Sequence, residues 1–209
     1  KEEYGEERAQ AIFESLLHRN KASIRVTDLS RKEEIKRLLG ASDSILSNTG
    51  LVKEQGHFAG HDLFAEGAIT IQDESSQLVA PTLELQGEEQ VLDACAAPGG
   101  KTAHMASYLT TGQVIALDLY DHKLDLIREN AQRLGVADRV QTQKMDARKV
   151  HELYDKDQFD KILVDAPCSG IGLIRRKPDI KYNKETVDFM FLQEIQLEIL
   201  GSVCQTLRK

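Results

Sequence analysis

The sequence predicts an α/β fold: a doubly wound, Rossmann-like parallel sheet preceded by a small α+β subdomain. Three observations carry that prediction. Strand-like and helix-like segments alternate regularly from residue 89 onward, the pattern of a parallel sheet covered on both faces and joined by right-handed crossovers. A glycine-bearing tract, Leu92-Asp93-Ala94-Cys95-Ala96-Ala97-Pro98-Gly99-Gly100-Lys101-Thr102, follows the aliphatic run Gln90-Val91-Leu92. A second tract, Asp165-Ala166-Pro167-Cys168-Ser169-Gly170, follows Lys161-Ile162-Leu163-Val164. Both belong at the carboxyl ends of strands, where open α/β sheets build their sites.

The elements can be justified in order. Residues 7–18 gather Ala9, Ala11, Ile12 and Leu16 toward one side and predict a helix, and residues 22–27 alternate like a strand. A helix over 31–39 should stop at Gly40, a residue suited to a left-handed cap. Gly56, Gly60 and Gly67 punctuate a loop region before 68–72 alternates as a strand. Asp73-Glu74-Ser75-Ser76 can cap a helix running to about residue 85. Residues 1–84 are therefore expected as the small subdomain with its linking helix, and 85–209 as the main domain.

In the main domain, strands are expected over 91–93, 114–118, 139–144 and 160–165. Helices are expected over 102–109, over 122–134 with Gly135 closing it, and over 184–207. A doubly wound sheet should continue past the last helix with a further strand. The sheet is thus expected to be incomplete at its C-terminal end, with the edge of the fourth strand exposed.

Composition narrows the class. A chain of 209 residues with 41% hydrophobic content can bury a core. It has no apolar run of about 18 residues, and Lys1-Glu2-Glu3-Tyr4 does not open a signal peptide. No membrane partner, a cytoplasmic location and a monomer are expected. The three cysteines, Cys95, Cys168 and Cys204, lack any CxxC spacing, and His57 and His61 lack a third ligand; neither a disulfide framework nor a metal site is expected. The net charge of -7 argues against a nucleic-acid partner when taken alone. Yet Arg175, Arg176, Lys177, Lys181 and Lys184 cluster directly after the second tract, so a polyanion could be drawn to the site itself.

The loop from Cys95 to Lys101 points to a nucleotide cofactor. Successive glycines let the backbone approach a ligand, and the start of a helix offers N–H groups to an anion. GxGxxG is absent, and GxxxxGK[ST] fails because its first glycine would be position 95, which is Cys95. Asp118 ends the second strand about twenty residues on, where a carboxylate accepts ribose hydroxyls. Asp146 follows the third strand, toward the base. Either acid alone would more commonly be a helix cap or a solvated turn; two at these places after a glycine loop favour a site.

The two tracts, followed by Arg175-Arg176-Lys177-Pro178-Asp179, closely resemble the RNA 5-methylcytosine methyltransferases of the Sun/Nol1/Nop2 group, and its bacterial branch that acts on small-subunit ribosomal RNA most of all. The resemblance is strong from about residue 69 to 209 and weak before. It implies a class I methyltransferase sheet, S-adenosylmethionine as cofactor and ribosomal RNA as partner. It places Cys95, Ala96, Ala97, Pro98, Gly99, Gly100 and Lys101 on the methionine part, Asp118 on the ribose, Asp146 on the adenine, and Asp165 within the cofactor site. It makes Cys168 the thiol associated with product release. The chemistry adds Asp165 and Lys101 as catalytic residues, and the place of the basic run directly after the site makes Arg175, Arg176 and Lys177 the expected RNA contacts.

The family's attacking thiol lies in a threonine-cysteine-serine-like tract on the next strand, and no such tract occurs in these 209 residues. The resemblance therefore implies a portion of a longer enzyme, without its N-terminal RNA-binding domain and the end of its catalytic domain, and inactive alone. Cys204 is expected to be a core thiol in a helix with Ile199, Leu200, Val203 and Leu207. The chemistry explains the residue types: carbon 5 of cytosine is a poor nucleophile until a thiolate adds at carbon 6, and an acid can stabilise charge on the ring during that addition. Two other readings stay open. One is a DNA cytosine-5 methyltransferase with Cys168 as nucleophile, although its Glu-Asn-Val tract is missing. The other is a module that binds S-adenosylmethionine and RNA without chemistry.

Overall fold

The computed structural model describes residues 4–16, 21–175, 177–182 and 186–209. Two four-stranded sheets organise them. The first is antiparallel, in the order β2-β3-β1-β4, and is built from β1 (Ala22–Val26), β2 (Ser42–Asp43), β3 (Gly50–Lys53) and β4 (Ile69–Ile71). Helix α1 (Glu6–Ser15) precedes it; α2 (Lys32–Leu39) and α3 (Asp62–Ala65) lie between its strands. Ile35 and Leu39, four residues apart on one face of α2, join Ile24, Val26, Leu51, Leu63 and Ile69 in one core. Gly40 ends α2 at φ 55°, the left-handed cap expected of it.

Strands β2 and β3 were not foreseen, because Ser42–Asp43 is exposed and polar and β3 begins at a glycine, so neither alternates visibly. In α1 only Ala9 is buried; Ile12 is 42% exposed, and the expected apolar side of Ala11, Ile12 and Leu16 has no core beneath it. The end of that predicted helix, at His18, lies outside the described residues. The linking helix is also shorter than expected: α4 covers Glu74–Gln77 alone. Pro81 lacks the N–H that a continuous helix would need there, and the chain turns through a 3-10 segment, Pro81–Leu83, into left-handed Glu84.

The second sheet is parallel, in the order β7-β6-β5-β8, from β5 (Gln90–Asp93), β6 (Gln113–Asp118), β7 (Val140–Lys144) and β8 (Lys161–Leu163). Val91 and Leu92 alternate onto its two faces. On the Val91 side lie α5 (Gly100–Ala106) and α6 (Asp121–Arg133), packed through Ala103, Met105, Ala106 and Ala131. On the Leu92 side lie α7 (Val150–Leu153) and α8 (Thr186–Val203), packed through Val150, Ile199 and Val203 around Phe159. The chain runs outward from β5 through β6 to β7, then returns to place β8 on the other flank of β5. A crevice therefore opens between the carboxyl ends of β5 and β8, and both sequence tracts emerge into it.

Several expected boundaries move. Strand β8 ends at Leu163, so Asp165 stands beyond the strand. Helix α8 ends at Val203 and passes through a 3-10 turn, Cys204–Thr206, after which Leu207 bridges Phe159 in parallel just ahead of β8, while β8 itself ends the sheet beside β5. Cys204 is exposed, not a core thiol. The buried stripe here runs through Ile199, Ser202, Val203 and Thr206, which turns Cys204, Leu200 and Leu207 outward. No helix among the described residues is long and apolar enough to cross a membrane.

The first sheet carries a buried polar cluster on one side of β1. Strand β1 alternates in sequence, yet Ser23 and Arg25 are as buried as Ile24 and Val26. Arg25 Nε donates to Gln72 Oε1 (2.8 Å), and Gln77 Nε2 donates to Ser23 Oγ (3.2 Å) and to the Gln72 carbonyl (2.9 Å). His104 of α5 is buried nearby; desolvation, helped by the charge of Arg25, pushes its pKa down to about 3.

Candidate functional site

The loop after β5 turns on two glycines with different jobs. Gly99 has φ 97°, and a Cβ there would lie 3.0 Å from Ile127 Cα, so the loop packs against α6 at a point where a side chain does not fit. Gly100 would meet nothing within 4 Å and lines the cleft, so it leaves room for a ligand. Helix α5 begins at Gly100 and has seven residues, shorter and earlier than expected.

Two clefts flank this loop and share Cys95. The first, about 210 Å³, runs between the loop with Asp93, Lys101 and Asp165 and the end of β4 at Ile71 with Gln72 and Ser76 after it. The second, about 260 Å³, is lined by Asp118, Leu119, Tyr120, Met145, Asp146 and Ile199, with Pro167 at its side. The second is the more apolar; it offers flat hydrophobic walls and carboxylates, which suits a nucleoside.

Lys101 and Asp165, 64 residues apart, form a direct ion pair. Asp118 is 10% exposed in its side chain, accepts the Tyr120 N–H at 3.2 Å and has Lys123 at 3.9 Å. Asp146 caps the turn after β7 and is held by the Arg148 guanidinium, with Nη2 to Oδ2 at 2.7 Å; this lowers its pKa. Arg148 also reaches Glu198 on α8 at 3.2 Å, so the second cleft's acid is tied to that helix.

Asp93 is a residue the sequence reading passed over. It is fully buried, accepts from Thr102 Oγ1 at 2.7 Å through Oδ2, and has no partner on Oδ1. Burial pushes its pKa up to about 6, Thr102 pulls it down, and Asp165 adds to the rise. An orphaned buried carboxylate oxygen in a cleft-lining residue is the kind of group that a cationic ligand atom would satisfy. Its signal was an acid ending an otherwise apolar strand. Cys95 is half-buried, and burial together with Asp93, Asp118 and Asp165 pushes its thiol up to about 12.

The loop residues Cys95 to Lys101, together with Asp118, Asp146 and Asp165, thus come together around the two clefts. Cys168 does not line either; it is exposed on the turn beyond Pro167, whose carbonyl accepts from Gln196 Nε2 of α8 at 2.7 Å. Arg175 and Lys177 are exposed, and Arg175 Nη2 reaches Ser15 Oγ at 3.3 Å, while Arg176 and Lys184 lie outside the described residues. Arg148, Asn130 and Gln196 carried no signal in sequence, since each reads as an ordinary polar residue of a turn or helix.

A parallel sheet with its switch point between β5 and β8, a glycine loop at that point and acids on the adjoining strand ends define a Rossmann-like methyltransferase sheet. Residues 80–209 match the family model described as 16S rRNA methyltransferase RsmB/F, and the chain belongs to that family. It is 45% identical over 215 residues to the probable ribosomal RNA small subunit methyltransferase B of Bacillus subtilis (strain 168), covering 99% of this chain and 47% of that protein. The chain thus spans about half the length of that relative. Its fold matches the crystal structure of PH0851 with a TM-score of 0.89 at 29% identity, over 97% of this chain and 47% of that one. It also matches a methyltransferase homolog protein from Pyrococcus horikoshii with a TM-score of 0.80 at 30% identity, over 97% and 66% of the two chains.

Proposed function

We propose that this chain is the cofactor-binding portion of an S-adenosylmethionine-dependent RNA methyltransferase that modifies carbon 5 of a cytosine in small-subunit ribosomal RNA, in the cytoplasm. The observation that carries the reading is the meeting of Lys101 and Asp165 beside the glycine loop, at the junction of two clefts. When bound, S-adenosylmethionine supplies a methyl group activated by sulfonium charge. Asp118 would hold the ribose hydroxyls and Asp146 the adenine end, in the cleft that Leu119 and Met145 also line. The unpartnered Oδ1 of Asp93 would accept from the amine of the methionine part, and the loop from Cys95 to Gly100 would hold that part.

Toward the base, the Lys101–Asp165 pair holds a proton at the ring as electron density shifts to carbon 5. Cys95, with a thiol raised to about 12, stays protonated near neutral pH and is not the attacking thiolate. Exposed Cys168 assists release of the methylated base, and Arg175 and Lys177 meet RNA phosphates. Attack belongs to a cysteine of the threonine-cysteine-serine type, outside these 209 residues.

Two experiments test this. Gly100→Val should leave the melting temperature close to that of the parent and abolish calorimetric binding of S-adenosylmethionine, because the new side chain fills the cleft. Gly99→Ala should instead destabilise the fold by about 1–3 kcal/mol, the cost of forcing a Cβ into a left-handed, crowded position. Equal cofactor affinity in Gly100→Val would remove the cleft from the reading. The second test uses RNA carrying 5-fluorocytosine, in which fluorine blocks the final elimination and keeps an attacking thiol bonded to the base. This chain should form no adduct on a denaturing gel. An adduct that disappears in Cys168→Ala would make Cys168 the nucleophile and favour the cytosine-5 mechanism with a single thiol.

A further inference from the structure

Helix α6 presents Ile127, Asn130 and Arg133 at three-residue spacing, on one face. Ile127 backs the Gly99 turn. Asn130 Nδ2 donates to the Pro98 carbonyl at 2.8 Å, and its Oδ1 accepts from Arg133 Nη2 at 3.0 Å. With a carbonyl on one side and a guanidinium on the other, only this orientation of the amide satisfies both neighbours. Arg133 then reaches the first sheet. Its Nη1 donates to the Phe64 carbonyl (2.9 Å) and the Ile69 carbonyl (3.2 Å), its Nη2 donates to Thr70 Oγ1 (3.2 Å), and the guanidinium lies 3.9 Å from the Phe64 ring centroid. At Gly67 a Cβ would fall 2.0 Å from the Arg133 carbonyl oxygen, so the two backbones touch where only glycine fits.

We infer that Asn130 and Arg133 are positioning residues for the cofactor: a rigid strut that references the tip of the Cys95–Lys101 loop to strand β4 of the first sheet. The inference rests on the cofactor reading given above. Pro98 is exposed, and an exposed carbonyl can be satisfied by water, so its bond to Asn130 adds little to stability. What that bond fixes is the place of the loop. Strand β4 also leads into Ile71 and Gln72 on the opposite wall of the same cleft. One strut therefore sets both walls, and the first sheet becomes part of the cofactor site without contacting the nucleoside.

The test is calorimetric titration of the 209-residue chain with S-adenosylmethionine, alongside thermal melting. Asn130→Asp is nearly isosteric, keeps an oxygen for Arg133 and replaces the donor to Pro98 with an acceptor. It should bind S-adenosylmethionine about tenfold more weakly while its melting temperature stays at or above that of the parent. Arg133→Lys, which keeps the charge but loses the planar fork, should weaken binding similarly and lower the melting temperature. Unchanged affinity in Asn130→Asp overturns the proposal. A loss of affinity seen only together with a loss of melting temperature in that variant overturns it too, by making Asn130 a purely structural residue. If the parent itself fails to bind S-adenosylmethionine, the cofactor reading falls, and this inference with it.

Discussion

Asp118→Ala should weaken S-adenosylmethionine binding by about 1.5–3 kcal/mol, the usual cost of losing hydrogen bonds to a charged group. The carboxylate stands at the end of β6 with a side chain 10% exposed. Its local bond, the Tyr120 N–H at 3.2 Å, engages Oδ1, which leaves acceptor capacity for two hydroxyls. Shielding from water strengthens such bonds. The fold should barely notice the change, because Asp118 caps no helix: α6 begins beyond it with Tyr120 as its N-cap. Calorimetry on a variant with parental melting behaviour decides the matter, and an undiminished affinity would take Asp118 out of the site.

Asp93→Asn should stabilise the protein at neutral pH by up to about 3 kcal/mol, from a folded-state pKa about two units above the ordinary one. A carboxyl whose pKa is raised from 3.8 to about 6 holds its proton more tightly when folded. Its stabilising contribution is full below 3.8 and is lost as pH rises through about 6. Asparagine has no charge to lose, and its oxygen still accepts from Thr102. His104 runs the other way: with a pKa lowered from 6.5 to about 3, it contributes stability above 6.5 that is lost as pH falls. Between 3.8 and about 6 the two slopes oppose each other in the parent. The stability difference between Asp93→Asn and the parent, from urea unfolding at several pH values, should therefore grow with pH across that window and then level off. A difference independent of pH would mean that Asp93 does not titrate in this range. The same substitution should weaken cofactor binding, since a costly buried charge kept at a cleft is the common trade of stability for function.

The parallel sheet and both tracts were legible because their signals are local: aliphatic runs, glycine punctuation and an acid at a strand end. Gly40 and Gly135 were legible for the same reason, each ending a helix with a positive φ. What was missed depends on contacts between distant segments. Arg25 alternates with Ile24 as a solvent-facing residue would, but it is buried, bonded to Gln72 and close enough to Tyr108 and Arg133 to feel their charge. Cys204 shares helical spacing with Leu200 and Leu207, yet the buried stripe runs through Ile199 and Val203, so all three face outward. Asp146 was expected toward the base, but the grip of Arg148 two residues on was not legible, because that pairing depends on the shape of a tight turn. Asn130 and Arg133 act through backbone carbonyls, which no side-chain pattern can display.

The position of β8 has a consequence for how the site comes and goes. Asp165 and Lys101 are separated by 64 residues, so their meeting closes a long stretch of chain and waits on the docking of a three-residue edge strand whose members are each only half-buried. Edge segments of this kind exchange their amide hydrogens through local opening, at a free energy well below that of global unfolding. On the reading proposed above, the acid toward the base thus follows a short, half-buried strand on the flank of the second sheet, while the cofactor loop follows the largely buried central strand β5. Warming or dilute denaturant is therefore expected to part Asp165 from Lys101 while the core around β5 and β6 stays folded.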